Sequence, residues 1–288
     1  MPCRPDVIDA PSSALDSGVT TPVPAFDVPA PPRVRMFGIT LHRLGLRAAV
    51  AHLNAWMRQD LDRVRYVVTP NVDHLVMLRH DTEFRATYDD ASLVVADGLP
   101  LVLVSRWLGT ALPERVAGSD LVPGLFAAAD PVAGLRVYLL GAAPGVAEQA
   151  AARVRETWPT VSVVGTYSPP LGFEKDPVEN AAILQRIAAT QPDLLIIGLG
   201  APKQEKWVHA HQDAIRAKVA ICAGATIDFL AGHKRRAPRW VQKSGLEWCY
   251  RMLSEPRRLV RRYAVDAWIF PQIVGTAWRQ RNDSEPMS

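Results

Sequence analysis

The chain has 288 residues, enough for one large α/β domain with appendages or for two small domains, and at 48% hydrophobic it can bury a sizeable core. Its three cysteines (Cys3, Cys222, Cys249) lie far apart without metal-ligand spacing, which argues against a disulfide scaffold and fits free thiols in a reducing compartment. The net charge of +4 conceals an asymmetry: between His233 and Arg262 ten Lys/Arg stand against two acids, so that segment is +8, the rest of the chain is −4, and an anionic partner is expected at that end.

Residues 1–32 hold eight of the 24 prolines among Ser, Thr and Asp, too little apolar surface to offset ordering, so this segment reads as disordered. No Lys/Arg-led segment followed by an apolar run opens the chain, and the expectation is a protein that is not secreted. No apolar run reaches the ~18–20 residues of a spanning helix. The nearest, 264–278, is interrupted by Asp266, Pro271 and Gln272.

The core is expected over 33–240. RVRMFGITL (33–41) reads as a first strand, followed by a helix from about Arg47 to Asp60. A strand at 64–69 runs into Pro70-Asn71, a helix continues through about Tyr88 with Asn71 as its cap and Asp73 in its first turn, and a strand at 92–96 runs into Asp97-Gly98. Helices near 99–108 and 119–129 precede a regular alternation: strand 136–141, helix 144–157, strand 160–166, helix 177–189, strand 193–200, helix 202–213, and a strand at 218–225 that closes the sheet. Near-continuous Val/Ile/Leu strands alternating with helices predict an α/β, Rossmann-like, mostly parallel sheet with helices on both faces. From 241 to 288 a basic helical appendage follows. Leu246, Tyr250, Leu253, Val260, Tyr263 and Ala267 recur near helical spacing, Arg251, Arg258 and Arg262 follow it on another face, and Pro256 must break or kink the run. Such an element can lie on an anionic membrane surface.

Ligands of open α/β sheets bind outside the carboxyl ends of the strands. Thr69, Asn71 and Asp97 are therefore the first candidates, with Gly98 beside them, and Asp97 could accept a proton from a hydroxyl. LLGAAPG places Gly141 and Gly145 between a strand and a helix, which suits either a tight turn or a diphosphate contact, without a GxGxxG fingerprint. In GLGAPKQE, Gly200 ends a buried strand, Pro202 suits the first helical position, and Lys203, Gln204 and Glu205 follow in the first turn. Gln204 offers a donor and an acceptor to a sugar hydroxyl or base edge. Glu114 and Arg115 suit a structural ion pair as well as a substrate contact, and Asp228 is a helix-start residue or a second carboxylate of the site. The arginines of 235–263 come with Trp240, Trp248, Tyr250 and Tyr263, a combination suited to phosphates and membrane interfaces.

TPN (69–71), ADG (96–98), ERVAGSD (114–120), GLGAPKQE (198–205), GATIDFLAG (224–232), RRAP (235–238) and GLEWCYR…EPRR…RRY (245–263) occur in an order that resembles the WecG/TagA/CpsF glycosyltransferases over about residues 34–265. The resemblance implies a Rossmann-like core and transfer of a sugar from a UDP-sugar to a polyprenyl-diphosphate-linked sugar. That reaction inverts the anomeric centre, needs no metal or cofactor, and takes place at the cytoplasmic face of the membrane. It implies Asp97 as general base, Thr69 and Asn71 as pocket lining, Gln204 as a substrate contact, and Arg251, Arg258 and Arg261 closing over the diphosphate. It also implies homo-oligomers in solution, a monomer favoured at the membrane, and donors among N-acetylmannosamine, its uronic acid and glucose. Two other readings remain: a nucleotide-dependent Rossmann oxidoreductase, against which the missing glycine fingerprint counts, and a non-enzymatic adaptor binding anionic lipid or nucleic acid. The adaptor reading gives the polar strand ends no purpose, and no nucleic-acid partner is expected.

Overall fold

Six strands form one parallel sheet in the order β4-β3-β8-β7-β5-β6: β3 (Arg65–Val68), β4 (Leu93–Val94), β5 (Leu135–Gly141), β6 (Val161–Tyr167), β7 (Leu194–Gly198) and β8 (Val219–Cys222). The computed structural model describes residues 30–59, 62–234, 236–238, 241, 247–254 and 256–283. Of the segment read as disordered, residues 1–29 lie outside the described residues, while Pro32 already accepts the Arg43 N–H at 2.8 Å.

Strand side chains alternate between two apolar layers. Val67, Leu194, Ile196, Val219 and Ile221 meet α1 (Leu46–Met57), α5 (Gly118–Ala127), α6 (Val146–Thr157) and α9 (Thr226–Leu230). Tyr66, Val68, Leu195, Ile197, Ala220 and Cys222 meet α2 (Val72–Met77), α3 (Thr82–Asp89), α4 (Leu99–Trp107), α7 (Pro177–Thr190) and α8 (Lys203–His211). The Rossmann-like α/β class read from the strand–helix alternation is what the chain adopts.

Three local expectations change. The stretch 33–41 is a hairpin of β1 (Arg33–Met36) and β2 (Ile39–His42) outside the main sheet. Its turn puts Phe37 and Gly38 at φ 57° and 76°, the left-handed pair that two-residue hairpins require. The helix expected to run from Asn71 through Tyr88 is divided, because Asp81 accepts the Phe84 N–H at 2.8 Å and starts α3 anew. The strand expected to close the sheet, β8, lies in its middle between β3 and β7. Its four residues are all buried and apolar, whereas the edge strand β6 carries Ser162 and Thr166.

The described part of the appendage includes two helices, α10 (Glu247–Ser254) and α11 (Pro256–Asp283), and the break falls at Pro256 as its missing N–H demands. Helix α11 turns Leu259, Asp266, Ile273 and Ala277 inward at helical spacing, packs against α2, and stacks Trp278 on Trp107 of α4 at 4.4 Å between ring centroids. Among the described residues no helix is long and apolar enough to cross a membrane.

Candidate active site

The chain leaves β3 for α2 on one face of the sheet and leaves β8 for α9 on the other, so a crevice opens between the carboxyl ends of these neighbouring strands. A cavity of about 910 Å³ fills it, and α10 and α11 border it through Tyr250, Leu259, Arg262 and Tyr263.

On one wall, Thr69 ends β3 almost fully buried, and Asn71 Oδ1 accepts the His74 N–H at 3.1 Å to cap α2. The Asp97 N–H donates to Pro70 O at 2.8 Å, which ties the loop after β4 to the loop after β3. The Asp97 carboxylate faces the cavity with its side chain 27% exposed, and Arg115 Nη1 sits 3.4 Å from its Oδ1. The other arm of Arg115 pairs with Asp120 at 2.7 Å, and Asp120 in turn pairs with Arg236 at 2.7 Å. Arg115 thus aims Asp97 from outside the cavity lining. Its neighbour Glu114 accepts the Leu46 N–H at 2.6 Å and serves the start of α1 instead.

The floor is built by the loops after β7 and β8. Gln204, 3% exposed, accepts from the N–H groups of Gly200 (3.3 Å) and Gly224 (3.2 Å) and donates to Glu205 Oε1 at 2.7 Å. Its acceptor is therefore engaged in joining two glycine loops, and one amide hydrogen is left for a ligand. Gly200 at φ 82° lines the cavity, and Asp228 lines it from α9. Three expected contacts lie elsewhere. Lys203 pairs with Glu174 at 3.2 Å, stands 5.5 Å over Phe173, and lines a separate recess of about 200 Å³. Gly141, at φ 112°, lines neither space: a Cβ there would meet Gly198 O at 2.5 Å, so the position serves the close approach of β5 to β7. Gly98 does not line the cavity and precedes α4 as its N-cap.

The cavity's described basic side chains are His233, Lys234 and Arg262. Arg262 grips Asp73, in the first turn of α2, through both guanidinium arms. Arg261 is exposed on the outer side of α11, and the side chains of Arg251 and Arg258 lie outside the described residues, although Tyr250 and Leu259 beside them reach the cavity. Behind Asp73 stand two further carboxyls. Burial pushes Glu205, wholly enclosed, up to about 7, and burial together with the charge of Asp73 raises Asp266 to about 7. His74, buried with its Nδ1 2.6 Å from the Tyr88 hydroxyl, is held down to about 4 and stays neutral. Sequence reasoning placed Arg262 on the helical stripe but gave Asp73, Glu205 and Asp266 no joint role. The spacing Arg262-Asp266, four residues on one helix face, was the available signal.

A parallel sheet whose carboxyl edge opens on a cavity of this size, with carboxylates on its wall and an arginine on the element across its mouth, defines a Rossmann-like enzyme. The chain belongs to the WecG/TagA/CpsF family of glycosyl transferases, whose family model matches residues 34–284 and so takes in all of α11. It is similar to an N-acetylglucosaminyldiphosphoundecaprenol N-acetyl-beta-D-mannosaminyltransferase of Bacillus spizizenii, 31% identical over 224 residues, 78% of this chain and 84% of that one. A protein of the same name from Staphylococcus aureus (strain MRSA252) is 26% identical over 238 residues, 83% of this chain and 91% of that one. This chain is a glycosyltransferase.

Proposed function

We propose that the enzyme moves a sugar from a UDP-sugar to a polyprenyl-diphosphate-linked saccharide, with inversion and without a metal, as a step in cell-surface glycan or exopolysaccharide assembly. The observation that carries the reading is Asp97, aimed by Arg115 into a cavity bordered by the basic appendage. In this reading Asp97 takes the proton of the acceptor hydroxyl as its oxygen attacks the anomeric carbon. The bond from that carbon to the diphosphate oxygen breaks, and UDP leaves with the electron pair. Arg251 and Arg258, with Lys234 of the cavity, supply the positive charge that the leaving diphosphate requires. Thr69, Asn71, Asp228 and the remaining amide hydrogen of Gln204 hold sugar or nucleotide hydroxyls. No cofactor takes part, and UDP-sugar is a substrate.

The relatives' names make N-acetylmannosaminyl the first donor sugar to test and diphosphoundecaprenol-linked N-acetylglucosamine the first acceptor. The acceptor is a lipid, so the enzyme works as a peripheral protein at the cytoplasmic face of the membrane, its aromatic and basic appendage against anionic headgroups. A panel of UDP-sugars offered with that acceptor, in buffer containing EDTA, should release UDP with at least one donor and give a product of inverted anomeric configuration. Absence of UDP release across the panel, or activity that disappears with EDTA and returns with a divalent cation, would sink the corresponding part of the reading.

A further inference from the structure

We propose that Arg262 is a positioning residue: its two-armed pairing with Asp73, with Asp266 buried one turn further along the same face, seats α11 across the mouth of the cavity. The argument starts from a count of charges. Asp73, Glu205 and Asp266 come together on α2, α8 and α11, and their residues are 9%, 0% and 6% exposed. The other groups facing them are Tyr88 of α3 and Cys222 of β8, both held protonated by burial, neutral His74, and Tyr263 of α11. Among the described groups coupled to these three acids, the cation is Arg262. One guanidinium neutralises one carboxylate, and Asp73 takes both of its arms. The remaining carboxyls cannot both stay ionised in so little water without a large desolvation cost.

Asp266 is the one that moves with the appendage. Seated, it is buried beside Asp73 and titrates near 7. Lifted into solvent on α11, it returns to the ordinary carboxylate range of about 4. The seated state therefore holds a proton that the lifted state releases. This contribution to seating is fully present below about pH 4 and is lost as pH rises through about 7. For one such group, the seating constant falls about tenfold between about pH 6 and about pH 8. Asp73 lies two residues after Asn71 and four after Thr69, so the latch also connects the appendage to the wall that carries the polar strand ends.

Amide hydrogen exchange of the full-length chain, corrected for the intrinsic pH dependence of exchange, reads seating without requiring a substrate, so its outcome is separate from that of the transferase reading. Peptides from 256–283 should lose about tenfold in protection between about pH 6 and about pH 8, while peptides from β7 and β8 report an intact core. Asp266→Asn should hold the pH 6 level of protection at both values, and Glu205→Gln should keep the wild-type pH dependence. Arg262→Ala should lose α11 protection at both pH values, and Arg262→Lys should restore part of it through a single contact. A wild-type α11 whose protection ignores pH overturns the proposal, as does an Asp266→Asn protein that still shows the tenfold drop or a Glu205→Gln protein that abolishes it. If Arg262→Ala also loses strand protection, the lysine and Asp266→Asn variants decide.

Discussion

Asp97 shows how much a single side chain depends on its support. Its backbone N–H is tied to Pro70 and its carboxylate is aimed by Arg115, itself held by Asp120. Asp97→Asn keeps the volume and removes the base, so turnover should fall by ~10²–10⁴-fold with little change in stability. A steady-state assay beside a thermal melt checks both halves. Gln204 is a different case, because its oxygen satisfies two glycine N–H groups inside the cavity floor. Gln204→Glu would put a second carboxyl 2.7 Å from a buried one. The expected result is a loss of about 2–4 kcal/mol above neutral pH, recovering in acid as the pair takes up a proton, measured by denaturant titration at several pH values. At Gly141 the added methyl of alanine meets a carbonyl oxygen at 2.5 Å in a left-handed backbone region. About 2–4 kcal/mol of stability should disappear there, and any loss of activity should follow the unfolded fraction. A Gly141→Ala protein that melts like the wild type but binds UDP poorly would return this glycine to the site.

At the level of elements, the parallel sheet was legible because β7 and β8 are unbroken apolar runs, and β5 is one apart from Arg136, with turn residues on either side. Order within the sheet was not, since the position of β8 depends on which neighbours pair, a long-range choice that no local run encodes. The same division applies to the site. Thr69, Asn71 and Asp97 were visible as polar residues ending strands, whereas Lys203 and Gly141 shared that signature and point to other business. The stripe of arginines indicated an element that meets anions, and its helical phase, more than its count, puts Arg262 inward and Arg261 outward. Removing the appendage after about Gln242 would strip cover from the core: Ile273 and Ala277 belong to the core layer, and Phe270 and Trp278 cover Phe37 and Trp107. A chain ending at 242 should retain parallel-sheet circular dichroism, bind a dye for exposed apolar surface, and melt several degrees lower. An equal melting temperature without dye binding would mean that α11 contributes nothing to the fold.

For the whole molecule, the charge asymmetry and the packing of α11 combine into an orientation. The helix buries one side against the core and turns the other outward, so Arg257, Val260, Arg261, Val265 and Trp268 share the outer face. Trp268 is 77% exposed on α11, which carries six arginines against two aspartates, and Leu253 of the neighbouring α10 is 78% exposed. An indole and basic side chains on one face suit the boundary between headgroups and acyl chains. The cavity is bordered by the inner side of the same helices, and no described helix is long and apolar enough to cross a bilayer, so under the proposed function a surface met by the outer side would bring a lipid-linked acceptor to the cavity that Asp97 lines. Each basic residue near an anionic surface contributes about 1 kcal/mol, so Arg257→Ala or Arg261→Ala should each weaken binding to phosphatidylserine-containing vesicles about fivefold. Trp268→Ala should weaken binding to neutral and anionic vesicles alike, because its part is apolar, and raised salt should abolish the arginine effect while leaving the tryptophan effect. Co-sedimentation with vesicles of both compositions separates these terms. Equal binding by all three variants would move the membrane-facing surface away from α11.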